Sequence, residues 1–376
     1  MTFLPAMMSP SGRPVAEAAF PAAGCTLDVR PGQSRRSRPR VTGKARQEPV
    51  PCVLLLSRSS DAELDAVGRL AGKVGVSVAR IDSDELSAVD LLVDPDRRTV
   101  RLDGMWLAPT ITWIRHFSAQ AIESEGSAAR DLFRRESWQA VASQLAAVSE
   151  VVMDHRRPGL LEQRSVARRR RIATPRTVIT TDPGRSRQLL GTQRVVVKAV
   201  DQHFVEAAPG RLTGFFPAVV GDQEPLSASR PGIPVIVQEY VEHDAELRVF
   251  YIDGEVLGLE VGKETPADLW LAADRVKVRY LDVPGPIVWA AKSLAADFKL
   301  RFGAFDFLLR DGAPVFLEVN PDGDWCWAEE KAGTARITIA VARMLCRLHA
   351  QARARELPAG YRRSESFNLI RFLSSG

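Results

Sequence analysis

The densest set of residues that could do chemistry lies late in the chain, where Ala304-Phe305-Asp306-Phe307-Leu308-Leu309-Arg310 and Pro314-Val315-Phe316-Leu317-Glu318-Val319-Asn320 flank Asp311-Gly312-Ala313. Two apolar runs separated by an Asp-Gly turn signal predict a β-hairpin. A three-residue loop at 311–313 sets Arg310 opposite Pro314, and counting outward places Asp306 directly across from Glu318. Period two then puts Asn320 on the Glu318 face. Two carboxylates and an amide oxygen are hard ligands. They suit magnesium, which keeps several waters and also binds nucleotide phosphates. Upstream, Val195-Val196-Val197-Lys198-Ala199 reads as an apolar strand ending in a cation, as needed to reach a phosphate from a sheet edge.

An Asp followed twelve residues later by Glu-x-Asn on paired strands resembles the metal site of the ATP-grasp superfamily. Phe302-Gly303-Ala304-Phe305-Asp306-Phe307, and the Trp-containing run from Phe316 through Asp322-Gly323-Asp324-Trp325-Cys326-Trp327 to Glu329, are similar to the subgroup that modifies ribosomal peptides of the microviridin kind, the graspetide synthetases. The resemblance spans roughly residues 50 to 350. It implies an α/β (α+β) ATP-grasp fold preceded by a small pre-ATP-grasp α/β domain, using ATP and two magnesium ions on Asp306, Glu318 and Asn320. It further implies that Lys198 contacts ATP, that the hinge segment Gln238-Glu239-Tyr240-Val241 binds adenine, that Glu246 binds ribose, and that Arg248 steadies the transferring phosphoryl group. A guanidinium is suited to that last role because it spreads negative charge.

The activity implied is a carboxylate ligase. Asp or Glu side chains of a ribosomal precursor peptide are activated as acyl phosphates, and a Ser, Thr or Lys of the same peptide closes an ester or amide ring. The same ATP apparatus would serve a ligase joining a free amino acid to a small carboxylate or peptide terminus, and a nucleotide-binding relative without turnover is the non-enzymatic alternative. Two departures stand out. The lysine of the family's Asn-Lys pair aligns near Gly159-Leu160, leaving Arg156, Arg157 or Arg164 as substitutes. The subgroup's Asp-Trp-Arg motif is only partly represented, in Ala267-Asp268-Leu269-Trp270. Ile111-Thr112-Trp113-Ile114-Arg115-His116-Phe117 occupies the place of a Trp-x-Arg-Arg segment, which suggests that Arg115 and His116 shape the cleft facing the ATP site. The end of the chain, Ser366-Phe367-Asn368-Leu369-Ile370-Arg371-Phe372-Leu373, resembles the aromatic motif of precursor leaders, so residues 364–376 are expected to act as a built-in leader helix. A homodimer is a further implication of the resemblance.

The elements that must hold these residues follow from periodicity. Cys52 to Leu56, Val76 to Ile81, Thr99 to Leu102 and Thr110 to Ile114 read as strands, and Leu64, Val67, Leu70 and Ala71 fall at helical spacing. With a helix near 127–148 they make a domain over residues 50–155. Further strands at 178–180, 195–200, 235–240, 247–252 and 256–261, and helices at 161–171, 286–298 and 334–353, make the ATP-grasp domain over 156–355. Residues 1–49, rich in Pro, Gly, Ser and Arg, are expected to be a disordered basic tail, and 356–376 a C-terminal tail. The formal charge is +5, but residues 1–49 hold eight Arg or Lys against three acids and the rest balances, which argues against nucleic acid as a partner. No apolar run approaches the roughly 20 residues of a membrane span. The four cysteines form no CxxC pair, which fits reduced thiols and a cytoplasmic location.

Overall fold

The computed structural model describes residues 26–28, 48–124, 126–153, 157–201, 203–221, 226 and 232–356. The leader-like segment 364–376, Arg156 and most of the basic tail lie outside the described residues. Val50–Ser57, an almost unbroken apolar run, becomes the centre of a six-stranded sheet, parallel to Ser77–Asp82 on one side and Met105–Ile114 on the other. Such a run must be covered on both faces. Val53 and Leu55 pack with the helix Ala62–Lys73, while Cys52, Leu54 and Leu56 pack beneath a second helix, Ala128–Leu145. Asp61 starts the first helix by accepting a hydrogen bond from the Leu64 amide at 2.9 Å, a capping contact worth about 1 kcal/mol.

The middle of the molecule is a five-stranded antiparallel sheet in the order Lys277–Leu281, Glu255–Gly262, Ala245–Ile252, Phe302–Arg310, Ala313–Asn320. One face is apolar at every second position. Leu247, Val249, Phe305, Phe307, Phe316 and Val319 meet Ile287, Leu294 and Phe298 of the helix Gly285–Phe298. Each fully buried side chain of this size contributes about 1.5–3 kcal/mol. Alternation therefore sends Glu246, Arg248, Asp306, Leu308 and Glu318 to the opposite face. Opposite stands a four-stranded sheet in the order Ala218–Val220, Val195–Lys198, Val235–Glu239, Thr177–Thr180. The long helix Arg336–Glu356 locks the architecture: Val341, Met344 and Leu345 share one core with Val53 and Trp113 of the first sheet and Phe250 and Phe302 of the central one. A fourth, small sheet comprises Phe204–Ala208, Arg211–Gly214 and Thr26–Asp28.

The hairpin differs from its sequence-based reading in two ways that cancel. Arg310 pairs with Ala313, so the turn has two residues, Asp311 and Gly312, both with positive φ (52° and 73°), rather than three. That is the turn an Asp-Gly pair favours, because its twist matches that of the strands. The one-residue slip this creates is undone by a bulge between Asp306 and Phe307 that leaves Leu317 unpaired, and Asp306 still lies opposite Glu318.

Candidate active site

The polar face of the central sheet is a set of acids, each met by a cation. Arg248 lies directly across from Asp306, with Nη1 3.3 and 3.4 Å from its two carboxylate oxygens. Lys198, at the end of its apolar strand in the opposing sheet, donates to Glu318 Oε2. Lys263 donates to Glu246 Oε1. Burial pushes Asp306 up to about 6, aided by the charges of Glu318 and Glu246 and opposed by Arg248. Burial acts on Glu318 in the same sense, but the Lys198 ammonium overrides it and holds that carboxyl down at about 2. Asn320 lies at the exposed end of the strand, its Oδ1 accepting from the Asp322 amide at 3.0 Å.

Gln238, Glu239, Tyr240 and Val241 close the other side of this space. Gln238 is buried and donates through Nε2 to Thr177 Oγ1 at 3.1 Å. The Glu239 and Tyr240 amides donate to the carbonyls of Arg176 and Arg194, and the Glu239 carboxylate turns outward to Arg176 Nε at 2.5 Å. Val241, Leu308 and Val315, with Leu317 packed against them, form a small apolar cluster between the 238–241 segment and the hairpin. Sequence reading named Val241 but missed Leu308, Val315, Leu317 and Lys263. Lys263 was reachable by counting: from the Asp253-Gly254 turn Ile252 pairs with Glu255, which sets Val261 opposite Glu246 and Lys263 one face-period beyond.

Behind Arg248 the chain approaches closely. A Cβ on Gly323 would stand 2.4 Å from Ala304 Cβ and 3.1 Å from Arg248 Nη2, so only glycine fits. The loop carrying Gly323 is held by Arg115, which is completely buried. It contacts Asp61 (2.8 Å), Asp324 (2.7 Å) and Glu63 (3.8 Å), donates to the carbonyls of Asp322 and Gly323, and lies over the Trp325 ring. Arg115 therefore does not line the cleft directly; it ties the first sheet to the loop under the site. His116 is partly exposed, with Nε2 2.9 Å from Asp324. Burial would raise Asp324, but His116 and Arg115 hold it well below the usual carboxylate range. Near the helix that follows residue 159, Arg157 is taken by Asp322 at 2.6 Å and Leu160 is buried, while Arg164 Nη1 donates to the Phe316 carbonyl at 2.9 Å.

Among the described residues no cluster of three or more His, Cys, Asp or Glu side chains is placed to hold a metal ion. Two carboxylates and an amide oxygen, facing cations that suit phosphate, match an ion whose remaining ligands are phosphate oxygens and water. No protein-family model matches the sequence, and no curated protein does. Among solved structures, the macrocyclase MdnC bound with precursor peptide MdnA from Microcystis aeruginosa MRC superposes with a TM-score of 0.64 at 20% identity, covering 78% of this chain and 99% of that one. The ATP-grasp ligase PsnB, complexed with a phosphomimetic minimal precursor, Mg and ADP, gives 0.62 at 16% identity over 82% and 99%. A RiPP-associated ATP-grasp ligase of Chryseobacterium gregarium, in complex with ADP and a leader and core peptide, gives 0.63 at 18% over 79% and 97%. The chain has an ATP-grasp fold. In that fold, the face carrying Asp306, Glu318, Arg248 and Glu246 is the floor of the cleft between the two sheets, with Lys198 and the 238–241 segment on its roof. Among the described residues no helix is long and apolar enough to cross a membrane.

Proposed function

We propose that this chain is an ATP-dependent, magnesium-using carboxylate ligase that activates Asp or Glu side chains of a ribosomal precursor peptide and closes ester or amide macrocycles, working in the cytoplasm. The observation that carries the reading is the convergence of Asp306, Glu318, Asn320 and Arg248 on one sheet with Lys198 reaching them from the opposing sheet. Its peptide-bound neighbours among the solved structures support the choice of substrate.

Magnesium held by Asp306, Glu318 and Asn320 would neutralise the terminal phosphates of ATP. The protein's own groups do the rest. Lys198 exchanges its pairing with Glu318 for a phosphate oxygen, and Arg248 shares its guanidinium between Asp306 and the phosphoryl group in transfer. Lys263 holds Glu246 in place for the ribose hydroxyls, and the Val241–Leu308–Val315 surface supports the base. A peptide carboxylate oxygen attacks the γ-phosphorus and ADP leaves, giving the acyl phosphate. The Ser or Thr hydroxyl or Lys amine then attacks the carbonyl carbon, and phosphate departs as that nucleophile loses its proton.

The test uses short peptides encoded beside the gene that carry clustered Thr and Asp or Glu. With Mg·ATP and such a peptide, hydroxylamine should trap the acyl phosphate as a hydroxamate, and without hydroxylamine the peptide should lose the mass of one water per ring. ADP release that no peptide stimulates, with neither product formed, would overturn the reading.

A further inference from the structure

Among the described residues, Arg80 and Arg115 show how a buried arginine is matched to acids. Arg80 meets Asp65 at 2.5 Å and Asp82 at 2.7 Å, and Arg115 meets Asp61 and Asp324 with Glu63 close by. Arg164 has no ion-pair partner among the described residues. Its helix, Leu160–Arg169, is pinned along the edge strand Ala313–Asn320 by Gln163, which donates to the Val319 carbonyl at 3.2 Å and accepts from the Val319 amide at 2.9 Å. In that fixed position Arg164 uses Nη1 on the Phe316 carbonyl, while Nε and Nη2 are buried with nothing to donate to. Burial pushes its pKa down to about 10, and the charge that opposes this is Glu318, already paired with Lys198.

A buried guanidinium with two idle donors is costly unless an anion completes it. Building on the reading of the cleft as a nucleotide site, we propose that Arg164 is a nucleotide-binding residue whose free donors take a phosphate of the bound nucleotide. Glu318 links the two cations: it is the acid that acts on Arg164 and the ion-pair partner of Lys198, so an anion drawn to Lys198 enters the field of Arg164 as well. The planar fork left by Nε and Nη2 matches two oxygens of one phosphate. Arg157, the neighbouring candidate, is already engaged by Asp322 and the Arg115 carbonyl.

Calorimetry on the full chain with Mg·ATP, AMP and adenosine tests this, using Arg164→Met, which keeps the apolar stem, and Arg164→Lys, which keeps the charge without the fork. The expected result is a tenfold or greater loss of Mg·ATP affinity in Arg164→Met, with adenosine affinity unchanged, and a smaller loss in Arg164→Lys. A merely structural role weakens ATP and adenosine together. Wild-type discrimination between ATP and adenosine in either folded variant, or parallel loss of both ligands, overturns the assignment. If the wild-type protein itself fails to bind Mg·ATP, the nucleotide reading falls and takes this assignment with it. Should Arg164→Met not fold, the Arg164→Lys ratio decides.

Discussion

Replacing Arg115 with Met removes a fully buried cation from three carboxylates, of which Asp61 and Glu63 are closed to water and Asp324 is half exposed and also met by His116. Asp61 would keep the Ser57 hydroxyl (2.6 Å) and the Leu64 amide (2.9 Å), and Glu63 the amides of Trp325 (3.1 Å) and Cys326 (3.0 Å). The loss is therefore of charge compensation, not of every hydrogen bond, and stripping one partner from a buried ion cluster costs about 3–5 kcal/mol. Burial raises Asp61, yet Arg115, His116 and local hydrogen bonds leave it below its ordinary value. A depressed carboxylate stabilises the fold above its unfolded pKa, near 4, and loses that contribution as pH falls through the folded value. The gap between wild type and Arg115→Met should therefore be full at pH 7 and shrink below about pH 4. Equilibrium urea unfolding at both pH values measures it. Adding Asp61→Asn should recover about 1–3 kcal/mol, a coupling expected of residues in direct contact. Ring formation should fall too, since the freed loop carries Gly323 beneath Arg248. Strict additivity of Arg115→Met and Asp61→Asn, or a cost under about 1 kcal/mol for the former, would refute the reasoning.

Gly323→Ala places a methyl against Ala304 and Arg248, so it should cost about 1–3 kcal/mol in thermal unfolding and lower kcat more than it raises KM for ATP. Lys263→Met leaves Glu246 without its partner and should raise the KM for ATP about tenfold, the worth of one charged hydrogen bond, with kcat little changed. Burial pushes Cys52 and Cys326 up to about 12 and Cys346 up to about 11, so at pH 8 none carries appreciable thiolate. Iodoacetamide adducts at these three positions should appear by mass spectrometry only after denaturation; labelling of the native protein at Cys346 would contradict the packing.

The elements with strong period were legible from sequence. Val50–Ser57, Ala245–Ile252 and Gly285–Phe298 lie within two residues of where alternation or helical spacing put them, because each buries a continuous apolar face. Leu91–Asp94, Val151–Met153, Ala218–Val220 and Lys277–Leu281 were not seen: they are three to five residues long, too short to show a period, and all but the first, which pairs with the adjacent Thr99–Leu102, are placed by strands further away in sequence. Asp306, Glu318 and Lys198 were legible because polar residues interrupt or end apolar strands, while Arg248 was singled out only by the family resemblance. Leu308 and Val315 were not legible, since an apolar residue lining a cleft looks in sequence like one lining a core. Arg115 was legible as special, but its role was not. Its acids come from Asp61 and Glu63 and, more than 200 residues further on, Asp324, and only the closed fold shows that it is caged.

The central claim is that the Asp306–Glu318–Asn320 hairpin organises ATP for carboxylate activation. It is tested most directly by the stoichiometry of ADP released to water lost from the peptide, in magnesium, for the wild-type protein and Glu318→Ala. The account predicts one ADP per ring for the wild type and neither product from a folded Glu318→Ala. Undiminished turnover in that variant would contradict it.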